Sequence, residues 1–151
     1  FLILESDTRP VKYRWFDRLH EYCSEEDFLI AGSHYDGIVE LPENCEWKDH
    51  LNGVAIYKNC DLLKELLNES ICKVKQLVKE GVHDHFVNYD IGIYYTIESS
   101  EENINKYKPG YKDIKLISNM SMGADKKLKE SYICQKNKDL VILHQKNRFL
   151  S

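Results

Sequence analysis

The chain lacks any apolar run approaching the ~18 residues that a membrane-spanning helix needs, and it shows no signal-peptide pattern. A transmembrane segment is therefore not expected. An initiator Met is also missing: the sequence starts inside an apparent strand at Phe1, and we expect native sequence ahead of it. The five cysteines (Cys23, Cys45, Cys60, Cys72, Cys134) are odd in number, scattered and without a CxxC pair. Neither a disulfide framework nor a zinc site is indicated. Reduced, mostly buried thiols in a cytosol-like compartment, and so a cytoplasmic location, are the expectation. Basic excess is absent as well. A net charge of −4 argues against a general nucleic-acid binder, and no internal repeat or low-complexity segment is visible.

What is present is an ordinary globular composition, 42% hydrophobic and 30% charged, in 151 residues. That length suits one domain with a real core, spanning residues 1–151. The charge is unevenly spread. Residues 1–102 carry 10 Lys/Arg against 21 Asp/Glu, and residues 103–151 carry 11 against 4. An acidic body with a basic tail could hold a metal at one wall of a cleft and phosphates at the other.

The apolar pattern gives the elements. Phe1-Leu2-Ile3-Leu4 reads as a strand buried on both faces, as in a parallel or mixed sheet under helices. Val11, Trp15, Leu19 and Tyr22 fall at helical spacing and predict a helix over 11–22, with Trp15 as a core anchor. Phe28–Gly32 and Gly53–Tyr57 read as further buried strands, and 38–49 as a loop. The strongest helix is predicted over about 61–80, with Leu63, Leu67, Ile71, Val74 and Val78 as its stripe and Gly81 as its stop. His83-Asp84-His85 in a polar stretch reads as solvated histidines. Residues 98–112, with Pro109-Gly110, read as a loop, and Leu140–Leu143 as the last strand, with His144 just beyond it.

Glu5 and Asp7 end the first apolar run at i, i+2 spacing, where extended geometry aims both to one side. The C-terminal ends of strands are where open α/β sheets hold ligands. Two hard oxygen donors there suit Mg²⁺ or Mn²⁺ carrying a substrate's phosphates. The competing reading is that Asp7 or Thr8 caps the next helix, with Pro10 in its first turn. Asp90 is the one acid in an aromatic-rich segment, costly to bury unless paired or used; a helix N-cap is its plain alternative.

Several separated segments then agree in order. They are Glu5-Ser6-Asp7 with Pro10 and Trp15, Gly32-Ser33-His34-Tyr35-Asp36-Gly37, His50-Leu51-Asn52-Gly53-Val54-Ala55-Ile56-Tyr57, Tyr89-Asp90 and His144-Gln145-Lys146. The ordered set resembles the catalytic part of a GT-A-type nucleotide-sugar glycosyltransferase, of the compact kind also found in large DNA viruses. Two features depart from that pattern: nothing before Phe1 corresponds to the βαβ unit that grips base and ribose, and the triplet is Glu-Ser-Asp rather than Asp-x-Asp.

The resemblance implies an α/β fold with a GT-A-like, Rossmann-related mixed sheet flanked by helices, without its N-terminal βαβ unit. It implies a Mn²⁺- or Mg²⁺-dependent transfer of a sugar from a nucleotide diphosphate sugar, a UDP-sugar foremost, to a glycan or glycoprotein hydroxyl. Asp7, His144 and Glu5 would hold the metal. Glu5, Ser6, Asp7, Lys146, Gly53 and Asn52 would bind donor, and Lys146 would meet the diphosphate as a point charge. Asp90 would take the acceptor's proton in an inverting reaction. Gly32, Ser33, His34, Tyr35, His50 and Trp47 would line the sugar and acceptor pocket. The alternatives are a glycoside hydrolase using Glu5 and Asp7, and a non-catalytic, metal-dependent carbohydrate-binding module.

Overall fold

A computed structural model describes residues 1–34, 49–81, 88–121 and 134–146. Tyr35, Trp47, Cys45 and the His83-Asp84-His85 triplet lie outside these residues. In chain order the elements are β1 (Leu2–Ile3), β2 (Thr8–Pro10), α1 (Trp15–Glu25), β3 (Ile30–His34) and β4 (Leu51–Tyr57). They continue as α2 (Asp61–Lys79), α3 (Tyr89–Ile97), α4 (Glu101–Tyr107), β5 (Tyr111–Asp113), β6 (Ile117–Ser121) and β7 (Ile142–Lys146). The strands form two mixed sheets. One runs β1-β4-β3-β5, with only β3–β5 parallel; the other runs β2-β7-β6, with β2–β7 antiparallel and β6–β7 parallel. The chain is therefore mixed α/β with mixed sheets.

Strand β4 is the centre of this arrangement. Every residue from Leu51 to Tyr57 is buried, the near-continuous apolar run expected of a strand covered on both faces. Alternation divides its side chains between two cores. Leu51, Ala55 and Tyr57 pack with Leu63, Leu66, Ile93, Ile97 and Tyr107 from the helical layer. Val54 and Ile56 pack with Leu19 of α1 and with Ile117 and Ile142 of the second sheet. Leu66, fully buried, alone contributes about 1.5–3 kcal/mol by leaving water.

Helix α2 starts and stops where its sequence predicts, with Gly81 at φ 85 accepting the left-handed turn after it. Its buried face is different from the expected stripe. Leu63, Leu66 and Ser70 face inward, while Ile71 and Val78 are exposed. The cause is a close helix crossing: a Cβ on Gly92 of α3 would overlap the Val74 methyl and stand 3.4 Å from the Ser70 carbonyl. The small pair Ser70 and Gly92 sets the helix rotation, and larger apolar residues do not.

Other expectations are corrected. The first apolar run is a two-residue edge strand, not one buried on both faces; Phe1 and Leu4 are exposed, and Phe1 stacks on the Tyr57 ring. The chain turns at Glu5–Thr8 before more of it can enter the sheet. Pro10 ends β2 and lies in no helix, and neither Asp7 nor Thr8 caps α1. That helix begins later than predicted, after Arg14 in the left-handed region at φ 56, and Val11 instead donates its N–H to the Val141 carbonyl. Residues 98–112 are not a loop. Ser100 caps α4 by accepting from the Asn103 N–H, and Tyr107 is fully buried with its hydroxyl donating to Glu69. The last strand runs on to Lys146, because β2 and β6 pair with it on both sides, so His144 lies within it. The described cysteines Cys23, Cys60, Cys72 and Cys134 are free thiols, but not buried ones: Cys23 and Cys72 are exposed and the other two half-buried. Among the described residues no helix is long and apolar enough to cross a membrane.

Candidate metal centre

The turn from Glu5 to Thr8 carries the chain out of the first sheet and into the second. It is closed twice: Thr8 N–H donates to the Glu5 carbonyl at 3.0 Å, and Glu5 N–H donates to Thr8 Oγ1 at 3.1 Å. This reciprocal clasp presents Glu5 and Asp7 together, with Ser6 exposed between them. In the ladder beyond it Thr8 stands opposite His144. The two chain segments meet there. Nε2 of His144 lies 2.9 Å from Asp7 Oδ1 and 3.2 Å from Glu5 Oε2. The carboxylates are partly exposed and the imidazole is only 1% exposed.

The other ring nitrogen is held by a residue that sequence reading did not single out. Nδ1 of His144 lies 2.8 Å from Asn119 Oδ1. Asn119 Nδ2 donates to the Ser33 carbonyl at 2.8 Å and to Ser33 Oγ at 2.7 Å. A carbonyl oxygen only accepts, so the amide nitrogen must face Ser33 and the amide oxygen must face His144. The Nδ1 position therefore carries the hydrogen. In neutral histidine this leaves a lone pair on Nε2, buried, without a hydrogen-bond partner, and confronting two carboxylate oxygens. Three acceptors converge on one point. Only a shared positive charge, a proton or a metal ion, relieves that arrangement.

The residues fit a divalent ion. One ligand atom from each of Glu5, Asp7 and His144 lies within 4.8 Å of the others. Neighbouring ligands on an octahedral ion with bonds of about 2.1 Å stand about 3 Å apart, which matches the two contacts at Nε2. Two hard oxygens with one imidazole suit Mn²⁺ or Mg²⁺ more than a thiophilic metal.

Gly53 touches this cluster from β4. A Cβ there would overlap the Tyr89 hydroxyl and stand 2.9 Å from Glu5 Oε1, so only glycine leaves room for both side chains. Tyr89 Oη donates to the Gly53 carbonyl at 2.9 Å. Burial, then the negative charges of Asp90 and Glu5, push the Tyr89 phenol up to about 12; a side-chain hydrogen bond with Tyr57 pulls the other way. Asn52 is buried, and by alternation it faces the second sheet with Val54 and Ile56. Its Oδ1 has no hydrogen-bond partner among the described residues. Of Lys146 the backbone alone is described: it ends β7 opposite Ser121.

The remaining expected site residues form a second group. His34 Nδ1 lies 3.3 Å from the His50 carbonyl, and His50 Nε2 lies 3.8 Å from Asp90 Oδ2. Asp90 is 4% exposed. It is not the N-cap of α3, a place taken by Asn88; it sits in the first turn, and Oδ1 accepts from the Ile91 N–H at 2.9 Å. Gly32 packs against Ala55, where a Cβ would come within 3.0 Å, and Ser33 is occupied by Asn119. The structure thus joins Glu5, Asp7 and His144 in one cluster, and His34, His50 and Asp90 in another, with Tyr89 electrostatically coupled to both. The one sequence signal for Asn119 was a polar amide inside the apolar stretch Leu116-Ile117-Ser118-Asn119-Met120, which demands a buried partner. The chain matches no protein-family model, no curated protein and no solved structure at a significant level.

Proposed function

We propose that the chain is a metal-dependent glycosyltransferase, which moves a sugar from a nucleotide diphosphate sugar to a hydroxyl of a glycan or glycoprotein acceptor. UDP-sugar is the first donor to test. The observation that carries this reading is the buried Nε2 of His144, facing the oxygens of Glu5 and Asp7 while Asn119 holds Nδ1 from behind. Glu5, Asp7 and His144 would hold Mn²⁺ or Mg²⁺. When bound, that ion supplies Lewis-acid neutralisation of the departing diphosphate. Ser6, exposed between the two acids, would donate a hydrogen bond to a donor group. Lys146, two residues beyond His144, would add a positive charge near the phosphates.

Asp90 remains the candidate base, with His50 beside it. The acceptor's proton would pass to the Asp90 carboxylate as the hydroxyl oxygen attacks the anomeric carbon, an inverting transfer. The mixed sheets with flanking helices are compatible with a GT-A-like fold, and that assignment is by analogy. A glycoside hydrolase is not favoured, since it needs two carboxyl groups flanking a sugar bond. Here both carboxylates converge on one imidazole nitrogen.

Calorimetry with UDP-sugars in the presence of Mn²⁺ tests the proposal. Donor binding is expected with Mn²⁺ and is expected to vanish with EDTA or in Asp7→Ala. Donor affinity unchanged by EDTA would remove the metal from the mechanism.

A further inference from the structure

We infer that Asn119 is the positioning residue of this centre: it holds His144 with its hydrogen on Nδ1 and its Nε2 lone pair turned to Glu5 and Asp7. The consequence for ion binding rests on the metal reading above; the tautomer rests on hydrogen-bond geometry alone.

Asn119 and His144 are direct neighbours in the parallel β6–β7 ladder, so their side chains rise from the same face. Both are 1% exposed, so water does not compete for their polar atoms. The amide uses three of its four hydrogen-bonding positions: two donors on Ser33 and one acceptor on His144. Ser33 belongs to β3 of the first sheet. The amide orientation is thus dictated from outside the sheet that carries the histidine, and the imidazole must comply. An aspartate at 119 would still accept from Nδ1–H, but it would leave the Ser33 carbonyl without its donor. A leucine would provide neither contact. The two substitutions separate positioning of the histidine from stitching of the sheets.

The test combines long-range proton–nitrogen spectra of His144 with Mn²⁺ titration and thermal unfolding, on the parent, Asn119→Asp and Asn119→Leu. Spectra are taken without metal over a rising pH series, and His144→Ala identifies the signal. The parent is expected to keep hydrogen on Nδ1 throughout; a hydrogen on Nε2 with none on Nδ1 overturns the inference with no variant needed. Asn119→Asp is expected to keep that tautomer and to bind Mn²⁺ within about threefold of the parent, even where its Tm falls. Asn119→Leu is expected to lose about 10–100-fold in Mn²⁺ affinity, the usual effect of deleting a partner behind a metal-binding histidine. Equal losses in both variants, following Tm, would reduce Asn119 to a structural stitch and refute the inference. A parent with hydrogen on Nδ1 but no Mn²⁺ binding would support the positioning role and refute the metal reading instead.

Discussion

Gly53→Ala is the sharpest test of how the fold shapes the site. The added methyl would overlap the Tyr89 hydroxyl and stand 2.9 Å from both Tyr89 Cζ and Glu5 Oε1. Something must move: β4 is laddered to both β1 and β3 only at Ala55 and Ile56, beyond Gly53, and the Tyr89 side chain, as the nearest contact, is expected to give first. Tyr89 as a whole is 44% exposed and can swing outward, which places the cost toward the lower part of the ~1–3 kcal/mol typical of overpacking. Losing its bond to the Gly53 carbonyl adds about 0.5–1.5 kcal/mol. Alanine's better strand entropy returns roughly 0.5–1 kcal/mol. The net expectation is a loss of about 2 kcal/mol. With an m-value of about 2 kcal/mol/M in urea, the midpoint falls by about 1 M. Mn²⁺ affinity should fall as well, because Glu5 is displaced. In a Tyr89→Ala background the same methyl meets no ring, and its stability cost should nearly disappear, leaving a coupling energy of about 1–2 kcal/mol. A Gly53→Ala protein as stable as the parent, or an equal cost in both backgrounds, would refute the packing argument.

The other expectations concern charge and chemistry. Burial raises the phenols of Tyr89, Tyr57 and Tyr111 in the folded protein, so the folded state keeps protons that the unfolded state releases. Their contribution is complete below the ordinary tyrosine value near 10 and is lost as pH rises, through about 12 for Tyr89. Urea midpoints should drop between about pH 10 and 12, and less so in Tyr89→Phe; a flat profile would contradict the burial of these rings. Asp90→Asn should leave donor binding within a few-fold and cut transfer by about 10²–10⁴; near-normal turnover would remove Asp90 from the mechanism. His144→Ala should weaken metal and donor together, whereas Lys146→Ala should weaken donor and spare metal. Separate titrations of Mn²⁺ and UDP decide this, and parent-like binding of both ligands by His144→Ala would end the two-segment site.

Much of the scaffold was legible because long apolar segments carry their own periodicity. The strand at Leu51–Tyr57 and the helix at Asp61–Lys79 are examples. Of the second sheet only β7 was legible, from Leu140–Leu143. Strands β2 and β6 are short, and polar residues interrupt them, so they read as loop; β7 pairs with both. Helix α4 was hidden by its polarity, though Ser100 with Asn103 is a readable cap. At the candidate site, Glu5 and Asp7 stood out by spacing, and His144 only through the family resemblance that joined it to them. Asn119 did not, since its importance lies in which amide atom faces which partner, and no one-dimensional pattern encodes that.

Thr8 and His144 face each other across 136 residues of chain, and this has a consequence for how the protein is made. Contacts so distant in sequence close late, because the loop between them must first surrender its entropy. During synthesis the cluster cannot exist until β7 has emerged, by which time β4 and helices α2–α4 can already have gathered their own core. A ribosome-bound chain stopped before residue 140 should therefore protect its helical layer from protease while leaving the Glu5–Asp7 turn open to cleavage. Emergence of β7 would close it, so the cluster would form only after the helical layer that stands beside it.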